Sequence, residues 1–181
     1  IYTLCISVNI FLVYADLGFV GAGKKYAAEY FVKKELENEQ NLIGFSVFFL
    51  LLFLLVFSLM FLLLSFYPEF IISDLKPGKD YAIASSLFLI LAVFTPTILF
   101  QQLGSILFGI RLESYIVQKV NIVASFIKIS SVFYFFTNDS YDIVGYFFFF
   151  HLINLLSAFA SLLIFKMRHG LNLMGQMKAI K

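Results

Sequence analysis

Two stretches of this chain, Leu42 to Tyr67 and Tyr81 to Ile110, contain no charged residue. Each exceeds the roughly 20 apolar residues an α-helix needs to cross a hydrocarbon core of about 30 Å. Three more apolar segments, over residues 1–23, 115–136 and 143–165, have comparable length. The chain is 61% hydrophobic and 13% charged, with a mean hydropathy of +0.94. A soluble domain is nearer half apolar and a quarter charged, so one soluble core cannot hide this much apolar material. The sequence therefore predicts an all-α integral membrane protein with five transmembrane helices. Its 25 Phe residues and absent Trp suit a Phe-rich, lipid-facing surface.

Basic residues set the expected orientation. Five spans alternate sides. One side collects Lys24, Lys25, Lys33, Lys34, Arg111, Lys119, Lys166, Arg168, Lys178 and Lys181, whereas the other holds Lys76 and Lys79. Lysine and arginine accumulate on the cytoplasmic side, so the first group is cytoplasmic. Lys24 to Gln40 reads as a solvated cytoplasmic helix and turn, and Arg111 with Glu113 as a short turn. The first span then runs from outside to inside. The chain opens at Ile1, already within an apolar helix, which reads as an internal segment of a longer protein. No basic leader with a cleavage site marks a signal peptide.

Polar residues inside the spans are the candidate functional groups, because ionisable side chains in a membrane are costly and often tied to function. Asp16 lies within the first span, either as a helix-packing carboxylate or as a transport group. Pro96 interrupts the third span between Thr95 and Thr97. Proline removes a backbone donor and kinks a helix, and broken helices recur at transporter sites, although a passive kink fits equally. In the fourth span Gln118, Asn121, Ser125, Lys128 and Ser131 recur at intervals of three and four and so share a face. In the fifth, His151, Asn154, Ser157 and Ser161 do the same. Lys128 lies roughly 12 Å from the outer end at Phe136, a long reach for snorkelling, which favours a cavity-facing position. His151 lies at a similar depth, either packed or lining the same cavity. Lys128, Asn121, Ser125, His151, Asn154 and Asp16 are thus the candidate lumen residues.

Soluble-enzyme chemistry finds little support. There is no nucleophile elbow, phosphate loop, metal-ligand cluster or pair of catalytic carboxylates. The single Cys5 excludes an intrachain disulfide. No nucleic-acid module is visible.

The stretch Ala15-Asp16-Leu17-Gly18-Phe19, followed by Lys24, Lys25 and Ala27-Ala28-Glu29-Tyr30, resembles the second membrane helix of the polysaccharide flippases. These belong to the multidrug/oligosaccharidyl-lipid/polysaccharide exporter superfamily. The segment from Gln101 to Tyr115, with Gly109 and Arg111, is similar to that family's fourth helix and following turn. The resemblance implies part of one six-helix lobe of a two-lobe flippase, lacking its first helix, in the cytoplasmic membrane. It also implies alternating-access transport of a lipid-linked oligosaccharide, with membrane lipids, polysaccharide polymerase and glycosyltransferases as partners. No enzymatic activity is implied, and no cofactor beyond a coupling ion, Na⁺ or H⁺. An ion-coupled multidrug exporter of the same superfamily, with Asp16 as the coupling group, is the alternative. A non-transporting membrane enzyme or assembly subunit of polysaccharide synthesis is the reading from another class.

Overall fold

The computed structural model describes residues 1–14, 18–72, 78–136 and 141–170. Every regular element among them is helical. The helices are α1 (Tyr2–Tyr14), α2 (Phe19–Lys33), α3 (Leu36–Phe66), α4 (Lys79–Phe94), α5 (Ile98–Ile110), α6 (Ser114–Phe136) and α7 (Ile143–His169). Short 3₁₀ turns occupy Pro68–Phe70 and Thr95–Thr97. Among the described residues, four helical segments are long and apolar enough to cross a membrane: Leu36–Phe66, Lys79–Ile110, Ser114–Phe136 and Ile143–His169. The molecule is an all-α protein built for a multi-pass membrane setting.

The predicted first span, 1–23, is not one helix. α1 ends at Tyr14, and α2 starts afresh after Gly18, whose φ of +82° is left-handed. A residue without a Cβ adopts that conformation at little cost, and it cannot continue a right-handed helix. Asp16 lies outside the described residues. α2 then packs tightly on α3: a Cβ on Gly23 would collide with the Ser46 side chain. Small residues allow helix backbones this close approach in membranes.

α3 begins at Leu36, earlier than the predicted Leu42, and α2 reaches it through a tight turn. Lys34 is left-handed, with its N–H donating to the Phe31 carbonyl and that of Glu35 to the Tyr30 carbonyl. The α5–α6 turn repeats this pattern at Leu112 and Glu113. Both turns satisfy carbonyls that a helix end leaves free.

One face of α3 packs Leu50, Leu54 and Phe61 against Leu87, Phe88 and Leu91 of α4. The opposite side exposes Leu52, Val56, Leu59 and Leu63, as expected of a lipid-facing helix. The serines of α3 are not incidental. Ser65 Oγ donates to the Ser85 carbonyl at 3.0 Å, and Ser85 Oγ donates back to the Ser65 carbonyl at 2.7 Å. Without a hydrophobic drive between helices in lipid, such reciprocal bonds help hold a pair together.

Pro96 sits within the 3₁₀ turn between α4 and α5. Having no N–H, it cannot serve the carbonyl of Ala92, four residues earlier. Ser58 Oγ of α3 donates to that oxygen at 2.6 Å. Thr95 and Thr97 hydroxyls donate to the Leu91 and Phe94 carbonyls, each at 2.6 Å. The predicted break at Pro96 is therefore a change of helix type whose backbone acceptors are served by neighbouring hydroxyls. A second core of Leu107, Phe108, Ile116, Leu162 and Phe165 joins α5, α6 and α7.

Candidate functional site: a polar cavity within the apolar bundle

α5, α6 and α7 line a half-open cavity of about 390 Å³. α5 contributes Gln101, Gln102 and Ser105. From α6 come Val117, Gln118, Asn121, Ser125 and Lys128, and from α7 Asn154, Ser157, Ala158 and Ser161. Amides, hydroxyls and one ammonium make up most of this wall, although each helix lies in a segment long and apolar enough to cross a membrane. The stripe on α6 arises from helical periodicity: residues three and four apart lie on one face.

Asn154 is the hub. Its side-chain Oδ1 accepts from Lys128 Nζ at 3.0 Å. Its backbone carbonyl accepts from Gln101 Nε2 at 3.3 Å and from Ser157 Oγ at 2.8 Å. One residue of α7 thereby joins side chains from all three cavity helices. The Lys128 ammonium also lies 4.7 Å from the centre of the Phe150 ring. A cation is attracted to the face of such a ring. Lys128 is half-buried, and an amide oxygen and an aromatic face offset part of its lost hydration.

Four of the six candidate lumen residues, Asn121, Ser125, Lys128 and Asn154, meet in this cavity, joined by Gln118, Ser157 and Ser161 of the same polar stripes. His151 is placed elsewhere. It is 6% exposed and sits among Phe94, Phe147 and Phe150, with ring centres 5.5, 4.6 and 5.7 Å away. Its Nε2 has no hydrogen-bond partner. His151 and Asn154 lie about 60° apart around the helix, enough for α4 to cover one and the cavity to take the other. Asp16 lies outside the described residues. Gln101, Gln102 and Ser105 are cavity residues that the sequence places on the cytoplasmic half of the third span but that are not among the candidate lumen residues. Their signal was a polar pair inside an uncharged run.

A second polar cluster ties the helix ends on the predicted cytoplasmic side. Arg111 Nη2 and Glu39 Oε1 form an ion pair at 3.2 Å, with side chains only 11% and 3% exposed. The Arg111 guanidinium lies over the Phe31 and Phe165 rings, 5.0 and 4.9 Å from their centres. Glu113 pairs with His169 at 3.0 Å and Arg168 at 3.5 Å. These contacts correct two expectations. Glu39 is desolvated although it falls in the stretch read as solvated, because Arg111 supplies its countercharge. Arg111 and Glu113 do more than form a turn: they connect α3, α5 and α7. Lys24 packs its side chain over Gly109, where a Cβ would collide with it. The two stretches that carry the flippase resemblance therefore touch in the fold.

No protein-family model, curated protein or solved structure matches the chain.

Proposed function

We propose that this chain is part of a flippase that moves a lipid-linked oligosaccharide precursor across the cytoplasmic membrane. The observation that carries the reading is the cavity between α5, α6 and α7, in which one ammonium and several amides and hydroxyls lie inside helices otherwise suited to lipid. Polar groups at membrane depth mark substrate paths when they face a bundle interior. Amides and hydroxyls suit sugar hydroxyls, and Lys128 suits a phosphate or an acidic sugar. The resemblance of residues 15–30 and 101–115 to polysaccharide flippases supplies the substrate class. In this reading α1 and α2 together make a fifth crossing, broken at Gly18, and the chain is most of one lobe of a two-lobe transporter. Alternating access would expose the polar wall to each leaflet in turn while the lipid tail stays in the bilayer.

The test is leaflet translocation of a fluorescent lipid-linked oligosaccharide by the full-length protein in sealed vesicles. Protein-dependent transfer supports the reading. Binding without transfer, with turnover of the sugar donor instead, would assign the chain to the enzymes of polysaccharide synthesis.

A further inference from the structure

α6 and α7 form a second concavity on the side away from Lys128. It has a volume of about 420 Å³ and is lined almost wholly by apolar side chains, among them Val123 and Ile127 of α6 and Leu156 and Ala160 of α7. Two polar residues interrupt the lining. Ser157 also borders the polar cavity, so the α6–α7 seam separates the two spaces. Lys119 stands at the end nearest the start of α6.

We infer that this groove holds one acyl chain of an anionic glycerophospholipid of the cytoplasmic leaflet, with its phosphate on Lys119. The inference rests on the membrane placement of α6 and α7, and it is independent of the transport reading. Three observations support it. First, Lys119 lies five residues into α6, about 8 Å from the helix start, so its four-carbon stem can carry the ammonium to headgroup level. Second, Lys119 is exposed, lies 5.4 Å from the Tyr115 ring centre and enters no ion pair among the described residues. Its charge is thus available to a phosphate. Third, from Lys119 to Ile127 the groove runs about 12 Å along α6, within the roughly 15 Å depth of a single leaflet. The upper part of an acyl chain can lie along that length and the remainder stay within its own leaflet, whereas a much longer polyprenyl chain would run far past both. Basic pockets between membrane helices on the cytoplasmic side are known binders of anionic headgroups. An apolar groove alone accepts any lipid chain, and the lysine at its end supplies a preference for negative charge.

The experiment uses the full-length protein in nanodiscs holding equal amounts of phosphatidylglycerol and phosphatidylcholine. The protein is extracted, washed and analysed for retained lipid by native mass spectrometry. The wild type is expected to retain phosphatidylglycerol in preference to phosphatidylcholine. Lys119→Gln is expected to lower that preference about fivefold, whereas Lys166→Gln, which changes another exposed lysine outside the groove, leaves it unchanged. Ala160→Phe should displace lipid of either headgroup, and Val123→Phe at the exposed rim does the same should the first variant misfold. Equal retention of both lipids by the wild type, or an unchanged preference in Lys119→Gln, overturns the inference. So does displacement of phosphatidylglycerol by an equimolar polyprenyl phosphate, which would give the groove to a substrate tail. Loss of lipid preference in Lys119→Gln with translocation intact leaves both proposals standing. Absence of translocation with the preference intact removes only the flippase reading.

Discussion

Ser58 donates its hydroxyl to the Ala92 carbonyl, the oxygen that Pro96 leaves without a helical partner. The bond links the break in one membrane helix to a serine on its neighbour. In lipid no water is at hand to replace it. Ser58→Ala is therefore expected to destabilise the bundle by about 0.6–1.7 kcal/mol, the range of single interhelical hydrogen bonds in membranes. Pro96→Ala returns an N–H to the same carbonyl, so the cost of Ser58→Ala should shrink in that background. A double-mutant cycle on thermal stability in detergent measures the coupling. Strict additivity of the two substitutions would remove Ser58 from any role at the break.

Lys128 is the one charged residue lining the polar cavity among the described residues. Lys128→Ala is expected to lower translocation of an acidic lipid-linked substrate about tenfold, the scale of one hydrogen bond to a charged group. Expression should remain intact, and Lys128→Arg should retain part of the activity. Wild-type transfer rates in Lys128→Ala vesicles would reduce the residue to a packing role.

His151 is enclosed by three phenylalanine rings and leaves Nε2 unsatisfied. Replacing a buried polar group without a partner by an apolar one of similar shape is neutral or stabilising. His151→Phe should keep or slightly raise the melting temperature and leave translocation unchanged. Loss of transport in a stable His151→Phe protein would return this residue to the list of functional groups.

Arg111 and Glu39 form a desolvated pair. Removing one partner of such a pair strands a buried charge and costs about 3–5 kcal/mol. Arg111→Ala is expected to approach that loss in thermal unfolding. Glu39→Gln combined with Arg111→Met should recover much of it, because no charge is then left unpaired. Arg111→Lys should rescue poorly, since an ammonium lacks the planar face that lies over the Phe31 and Phe165 rings.

Membrane orientation can be read by cysteine labelling, with the native Cys5 fully buried. Lys79→Cys should react with an impermeant thiol reagent from outside intact cells. Lys33→Cys and Lys166→Cys should react only after permeabilisation. The reverse pattern would place the α2–α3 turn and the end of α7 outside.

Local pattern was enough to determine where most of the helices lie. Uncharged runs long enough to cross a bilayer placed α3 and the α4–α5 segment, and the spacing of Asn121, Ser125 and Lys128 placed a polar face on α6. Both signals depend only on residues within one helix, whose period is the same in any surroundings. Only the tertiary structure decided what each face meets. Asn154 receives Lys128 from 26 residues away and Gln101 from 53, and Glu39 meets Arg111 across 72. His151 and Asn154 share a predicted face, yet one is walled in by Phe94 of α4 while the other opens on the cavity. A helix face is set by a turn of 3.6 residues. Its covering is set by which neighbour the chain brings back, and in a nearly uniform apolar sequence the choice among neighbours rests on a few hydroxyls, glycines and charges that meet only once the bundle is assembled.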